Sequence, residues 1–196
     1  MNEFVKSLRN FLARDLLYII GGTCVVASFL YLFGKLPEKQ PPIPYLIILA
    51  GVAYAIGYAV QDSISFFPIV TSRHIDGPGK LSRCYYLFFT GIKWETVSER
   101  VNFPEDYYRA VDNMSERKIE EFRRLITLKH IGTAIGSNLL VSFAFLAIKY
   151  FSECKPFDGW IALFSLVLAV LLIVQSWVKG LQQTQFVAMV LEENTK

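Results

Sequence analysis

Histidine and cysteine are scarce in this sequence, and the motifs of common nucleotide and metal sites are missing. The chain has two histidines and three cysteines in 196 residues. His74, His130 and Cys84 share one region, but their spacing is not that of a zinc site. The glycine-containing segment 77–81 lacks both the spacing and the Ser or Thr of a phosphate-binding loop. No nucleophile motif surrounds a serine or an aspartate, so the sequence predicts no metal, no cofactor and no enzyme activity.

Charge is also missing from four long apolar runs. A helix needs about 20 apolar residues to cross the hydrocarbon core of a bilayer, and a helix satisfies its own backbone polar groups there. The sequence therefore predicts an all-α, polytopic membrane protein with four transmembrane helices. The four uncharged runs are Leu16–Gly34, Gln40–Gln61, Ile131–Ile148 and Gly159–Val178.

One long connection separates the second run from the third. Residues 62–130 hold 11 Lys or Arg and 10 Asp or Glu, so the connection is close to neutral and direct nucleic-acid binding is not expected. The other connections are too short to form a domain. The predicted domains are a transmembrane hairpin at 1–61, a connection with a stalk helix at 62–130, a second hairpin at 131–180 and a tail at 181–196.

Basic residues lie mostly on one side of the predicted membrane. Sixteen of the 20 Lys and Arg residues precede the first run, lie in the long connection or follow the last run. Cytoplasmic loops carry the excess of Lys and Arg, so both termini and the connection between helices 2 and 3 are predicted to be cytoplasmic. Cys24, Cys84 and Cys154 then fall in the membrane, the cytoplasm and the far side, so no disulfide is predicted within one chain. Trp160 and Trp177, at the two ends of the fourth run, are typical of interfacial anchors.

Helices are also predicted outside the apolar runs. Ser115 can cap a helix that begins at Glu116, and no proline follows before Ser152, so this helix is expected to continue into the third span. Apolar residues on one side of its first turns need a partner surface. The apolar seam after Lys179 can supply that surface, either within one chain or between chains. The first 15 residues either lie along the cytoplasmic interface or extend the first helix.

Two ridges of small residues predict close helix packing. In the second span, Gly51, Ala55 and Ala59 recur at every fourth residue, and Gly132 and Gly136 form a GxxxG pattern at the start of the third span. Small residues let helices approach closely in lipid, where the hydrophobic effect does not drive their association. The ridges are expected to pack helices either inside one chain or between the chains of an oligomer.

Polar residues inside the spans are few. Ser137, Asn138 and Ser142 fall within the third run, and none of the four runs contains Asp, Glu, Lys, Arg or His. Proton and ion pathways normally place such residues at membrane depth, so a proton-coupled transporter is disfavoured. A passive pore lined by Ser and Asn from several subunits is not disfavoured, because it needs no ionisable residue. The Asn138 side chain is expected to form a hydrogen bond between helices more readily than to form the filter of a pore.

Basic residues gather where the third span begins. Arg123, Arg124 and Lys129 are expected to face lipid headgroups, because an anionic leaflet attracts Lys and Arg. Arg124 and His130 also have an Arg-x(5)-His spacing, and Arg123 and His130 have an Arg-x(6)-His spacing. Both spacings resemble the loose Arg-x(4–6)-His motif of HEPN ribonucleases. In that family the histidine and arginine act on the RNA phosphodiester across a dimer, so the resemblance implies a ribonuclease as one alternative.

The size of this chain, its four predicted spans and its long connection together form a distinctive layout. Two short segments accompany this layout: Tyr54-Ala-Ile-Gly-Tyr58 and His130-Ile-Gly-Thr-Ala-Ile-Gly136. The layout resembles the small four-span membrane subunits of bacterial antiphage defence systems, the Kiwa type most closely, with CRISPR-associated accessory membrane proteins as a second comparison. The resemblance implies an oligomeric platform in the bacterial inner membrane that recruits a cytoplasmic effector. No catalytic residue is implied by it.

The leading hypothesis from the sequence is an oligomeric inner-membrane scaffold or sensor that presents residues 62–130 to a soluble cytoplasmic effector in antiviral defence. Its expected partners are further copies of the chain, the effector and membrane lipids, with no direct nucleic-acid binding. The alternative is a pore that depolarises the cell. A HEPN-like ribonuclease is the third hypothesis.

Overall fold

Five helices make up the described part of the chain. The computed structural model describes the backbone of residues 2–37, 39, 41–65, 101 and 105–193, and the side chains of the same residues except 2–14, 64 and 65. No strand occurs within these ranges. The helices are α1 (Asn2–Leu32), α2 (Ile43–Ser65), α3 (Glu105–Asp112), α4 (Glu116–Glu153) and α5 (Pro156–Glu193).

The predicted fold class is confirmed. Helices α1, α2, α4 and α5 are each long and apolar enough to cross a membrane. The cytoplasmic location of the connection between α2 and α4 stays a prediction. Its residues 66–100 and 102–104, which include Cys84, lie outside the described part of the chain.

The ends of the helices follow from the residues found there. Gly34 ends α1 with a φ of 63°, a left-handed conformation that costs glycine little because it has no Cβ. The Lys35 N–H donates to the Leu30 carbonyl at 2.9 Å and the Gly34 N–H donates to the Tyr31 carbonyl at 3.1 Å. These two bonds form a Schellman motif. Pro156 opens α5, where its missing N–H would have had no helical acceptor.

Helix α4 is unbroken from Glu116 to Glu153, as its sequence predicts. The Ile119 N–H donates to the Ser115 carbonyl at 2.9 Å, which places Ser115 at the N-cap. Helix α1 begins at Asn2, so the N-terminal residues extend the first helix. The alternative of a separate helix along the interface is wrong.

The chain divides into two compact units. The first unit consists of residues 1–65 and 131–173, and the second consists of residues 66–130 and 174–196. Helices α4 and α5 therefore contribute one part to each unit.

Direct backbone contact between α1 and α2 organises the first unit. A Cβ atom on Gly22 would overlap the Ala53 carbonyl, and a Cβ atom on Gly57 would overlap the Tyr18 carbonyl. Only glycine lets the two backbones approach this closely, which is the role of small residues in membrane helix packing.

Helix α5 packs against α4 in the same unit. A Cβ atom on Gly136 would lie 2.8 Å from Ile173 Cγ1 and 3.2 Å from the Ala169 carbonyl oxygen. The Ser165 hydroxyl of α5 donates to the Leu139 carbonyl of α4 at 3.1 Å. Small side chains and one interhelical hydrogen bond thus join this pair.

The second unit has an apolar core of its own. The rings of Phe122 and Phe186 stack with centroids 6.2 Å apart, and the ring of Tyr107 lies 6.4 Å from that of Phe122. The apolar side of the helix after Ser115 therefore meets the segment after Lys179 within one chain, which is one of the two predicted arrangements. The buried members of the cluster are Tyr107, Ala110, Met114, Phe122, Phe186, Val187 and Val190.

Candidate functional site

Asn138 joins three helices inside the first unit. Its side chain is 0% exposed, and its amide nitrogen donates to the Ala134 carbonyl at 2.7 Å and to the Gly57 carbonyl at 3.3 Å. A Cβ atom on Gly21 of α1 would lie 2.8 Å from the same nitrogen. The bond to Gly57 connects α4 with α2, as expected for an amide in lipid.

The orientation of this amide is determined by its neighbours. Exchanging the nitrogen and oxygen of Asn138 would set the oxygen against two carbonyl oxygens, neither of which can donate. Asn138 Oδ1 therefore points away from both carbonyls. Within the described part of the chain, Oδ1 is buried and accepts no hydrogen bond.

Two serines flank Asn138 on α4. The Ser142 hydroxyl donates to the backbone carbonyl of Asn138 at 3.0 Å. Ser137 is 1% exposed, and its hydroxyl has no hydrogen-bond partner among the described residues. A buried polar group without a partner is costly, and the cost is greatest in hydrocarbon. The three polar residues predicted within the third span thus share one buried region of a single chain.

The small-residue ridge of α2 lies on an exposed face of the helix. Gly51, Ala55 and Ala59 are all exposed, and no described atom lies within 4 Å of a Cβ built on Gly51. Helix α2 contacts α1 through Ala53 and Gly57 instead. Helix α1 therefore does not use this ridge, and its packing inside one chain or between chains stays a prediction. Helix α2 carries two rows of small residues, and α1 packs against the row of Ala53 and Gly57 rather than the row of Gly51, Ala55 and Ala59.

The GxxxG ridge of α4 behaves differently. Gly132 and Gly136 are both buried. Gly136 faces Ile173 and Ala169 of α5, so this part of the ridge packs helices inside one chain. The same geometry leaves no free face at Gly136 for another subunit.

The basic residues before the third span differ in exposure. Arg123 and Arg124 are exposed, as expected for side chains that face headgroups, whereas Lys129 is partly buried. Trp160 is 70% exposed, which suits an interfacial anchor, but Trp177 is only 8% exposed. The anchor interpretation is wrong for Trp177, because its ring is enclosed by the chain itself.

A buried carboxylate at the start of α5 was not identified from the sequence. Asp158 is 0% exposed, and the Tyr31 hydroxyl of α1 donates to its Oδ1 at 2.6 Å. Asp158 Oδ2 has no hydrogen-bond partner in the part of the chain that the structure describes. Pro156 followed by an acid in the first helical turn was a signal for a helix start with a favourable dipole interaction. Nothing in the sequence pointed to Tyr31.

Charged residues surround this pair. Glu153 forms ion pairs with Lys149 and Lys155. The Lys149 ammonium lies 5.6 Å from the centroid of the Tyr31 ring, within range of a cation–π interaction. The hydrogen bond with Glu153 raises the pKa of Lys155. These contacts tie together one end of α1, α4 and α5.

Tyr107 is the main polar contact in the core of the second unit. Its hydroxyl and that of Thr184 share a hydrogen bond of 2.8 Å. Burial raises the pKa of Tyr107, and the hydrogen bond to Thr184 acts in the opposite direction. The bond joins α3 to α5.

The described contacts form no candidate metal site, and comparison with known proteins identifies no relative. Within the described ranges, no group of three or more His, Cys, Asp or Glu residues could hold a metal ion. Comparison with protein-family models, curated proteins and solved structures gives no match for this chain. The geometry of each unit is therefore the basis for a functional proposal.

Proposed function

We propose that the chain is an oligomeric membrane scaffold that holds a soluble effector protein at the membrane surface. The observation that carries the proposal is the small-residue row of α2 that α1 does not contact. Gly51, Ala55 and Ala59 form an exposed ridge that none of the described helices contacts through a Cβ at Gly51.

Helix α2 is also the most exposed of the four long helices. Only 11% of its apolar stretch is buried, against 28% for α1, 33% for α5 and 44% for α4. A small-residue ridge gives lipid chains little to pack against, whereas a second helix can approach it closely and gain van der Waals contact. The α2 ridge of another copy is the partner that this surface fits.

Leucine substitution tests the oligomer. Ala55→Leu places a bulky side chain on the ridge and is expected to reduce the mass of the particle in detergent or lipid nanodiscs. Ile56→Leu is the matched control, because Ile56 follows Ala55 on α2 and its side chain is turned about 100° away from that of Ala55. An unchanged mass for Ala55→Leu would remove the α2 interface from the proposal.

Helix α3 supports the second part of the proposal, which is recruitment. Tyr107 and Ala110 are buried in the second unit, while Tyr108 is 72% exposed and Val111 is 36% exposed. An exposed tyrosine beside an aliphatic residue on a well-packed helix is typical of a protein-binding surface. Residues 105–112 are therefore the proposed contact for the effector.

Co-purification tests recruitment. The product of the gene next to that of this chain is expected to co-purify with the wild-type protein and to be lost with Tyr108→Ala. Glu120→Ala is the control, since Glu120 is exposed on α4 and lies outside the proposed contact. Equal retention in both variants would assign binding to another surface.

The pore is the less favoured alternative. Its proposed lining residues Ser137, Asn138 and Ser142 are each no more than 2% exposed in a single chain. A lumen shared by several subunits would need them on an outer face. The proposal includes the cytoplasmic orientation, which is based on the distribution of basic residues. It also includes the inner membrane and a role in antiphage defence, which are based on the resemblance in layout.

A further inference from the structure

Ser137 differs from four other hydroxyl-bearing residues on the helices of the first unit. A serine or threonine in a helix commonly donates to the carbonyl four residues earlier. The hydroxyl of Ser137 makes no such bond, and no other described atom bonds to it. Bonds to the fourth preceding carbonyl are made by Thr23 (2.7 Å), Ser28 (2.8 Å), Ser142 (3.0 Å) and Ser152 (2.7 Å).

The next residue has an unpartnered oxygen as well. Asn138 uses its nitrogen for two carbonyls, so its Oδ1 is an acceptor with no donor among the described residues. Both side chains are at least nine-tenths buried, with exposures of 1% for Ser137 and 0% for Asn138. Two neighbouring residues of one helix thus each leave one buried oxygen unsatisfied.

Their positions on α4 place them at the middle of the first unit. Gly136 faces α5, and Asn138 faces α1 and α2. Because successive residues turn by about 100° around an α-helix, Ser137 lies between these two faces. The side of α4 that carries Ser137 is thus enclosed by packed helices on both flanks.

We propose that Ser137 Oγ and Asn138 Oδ1 bind one water molecule in the interior of the first unit. Water can donate to Oδ1 and can either donate to or accept from the Ser137 hydroxyl, so one molecule satisfies both oxygens. A metal cation fits less well, because these ligands are neutral and an uncompensated charge in a dry interior is strongly disfavoured. The ligand of this site is a small, neutral hydrogen-bond donor.

Water-to-protein polarisation transfer in solid-state NMR tests the site in the full-length chain reconstituted in lipid bilayers. The signal of the Asn138 side chain is identified by its loss in Asn138→Ala. Transfer from water to this side chain is expected to be as fast as transfer to the exposed Asn113. It is expected to be faster than transfer to the methyl group of Ala53, which is 0% exposed.

Two serine variants locate the water. Ser137→Ala removes one of its two ligands and is expected to abolish the fast transfer to Asn138. Ser142→Ala is the matched control, because Ser142 is equally buried but already donates to the Asn138 backbone carbonyl, and it is expected to leave the transfer unchanged. Slow transfer in the wild-type chain overturns the proposal. Fast transfer that survives Ser137→Ala, or that is lost equally in Ser142→Ala, also overturns it.

Discussion

Gly22 of α1 and Gly57 of α2 face each other, backbone against backbone. A Cβ atom on Gly22 would lie 2.9 Å from the Gly57 nitrogen, and one on Gly57 would lie 3.0 Å from the Gly22 nitrogen. Each glycine therefore sets the distance between the two helices. Neither can be replaced without moving a backbone.

Gly57→Ala is expected to lower the free energy of unfolding by about 1–3 kcal/mol, because the added methyl group forces α1 and α2 apart. Unfolding of the purified protein by SDS in mixed micelles measures the change. Gly51→Ala is the matched control on the same helix: no described atom lies within 4 Å of its Cβ, and alanine keeps the ridge small. This substitution is expected to leave the free energy of unfolding unchanged or slightly raised, because alanine favours a helix more than glycine does. An equal loss of unfolding free energy in the two variants would contradict the close contact between α1 and α2 at Gly57.

The helices and their ends were largely predictable from local sequence. Ser115 and the absence of proline up to Ser152 were enough to predict α4 as one helix. Capping and helix continuity depend on residues close together in the chain. The apolar stripe at the start of α4 indicated that a partner surface was needed, but left open whether the same chain or another chain supplies it.

The choice between the two rows of small residues on α2 was not predictable in the same way. The rows Gly51–Ala55–Ala59 and Ala53–Gly57 have the same spacing, and only contact with α1 distinguishes them. Asp158 poses the same problem, because its partner Tyr31 is 127 residues away in sequence. Pairing between distant helices is a tertiary property that no local pattern specifies.

Alkaline pH is expected to destabilise the second unit through Tyr107. Burial raises the pKa of Tyr107, so the folded chain holds the phenolic proton more tightly than the unfolded chain does. This contribution to stability is fully present below about pH 10, the ordinary pKa of tyrosine, and is lost as the pH rises through the raised pKa. The free energy of unfolding should therefore fall more steeply above about pH 10 in the wild type than in Tyr107→Phe.

Tyr108→Phe is the control for this titration, because Tyr108 is 72% exposed on the same helix. Its pH dependence is expected to match that of the wild type. At neutral pH, Tyr107→Phe should cost about 1 kcal/mol through loss of the hydrogen bond to Thr184. Identical alkaline slopes for the wild type and Tyr107→Phe would contradict the burial of this phenol.

Cysteine labelling tests the orientation predicted from the basic residues. In intact cells, an impermeant maleimide should modify Cys154, which is exposed between α4 and α5, and should leave Cys84 protected. Permeabilised cells provide the control for the reactivity of Cys84. Labelling of Cys84 in intact cells would reverse the topology and move the proposed effector to the other side of the membrane.

Electrical recording distinguishes the scaffold from the pore. The scaffold is expected to leave planar bilayers silent, because the polar side chains of the third span are buried within one chain. Unitary currents that change with Asn138→Leu would favour the pore instead. Currents that do not change with this substitution would point to a contaminating channel.

RNA cleavage distinguishes the scaffold from the ribonuclease. His130→Ala is expected to leave oligomer mass and effector binding unchanged, and the wild-type protein is expected to leave RNA intact. If the imidazole acts as an acid or base, the wild type should cleave RNA and His130→Ala should abolish the cleavage. Arg117→Ala is a suitable control for loss of a nearby charge, since Arg117 is exposed on α4 and lies outside the motif.

The turn between α4 and α5 consists of only Cys154 and Lys155. Helix α4 carries the buried amide of Asn138, which would enter lipid poorly without a partner, whereas the apolar stretch of α5 is the more hydrophobic of the two. With so short a turn, α5 leaves the ribosome almost directly after α4. We therefore expect the translocation machinery to release the two helices into the bilayer as one hairpin, so that the length of this turn governs how the more polar helix is inserted.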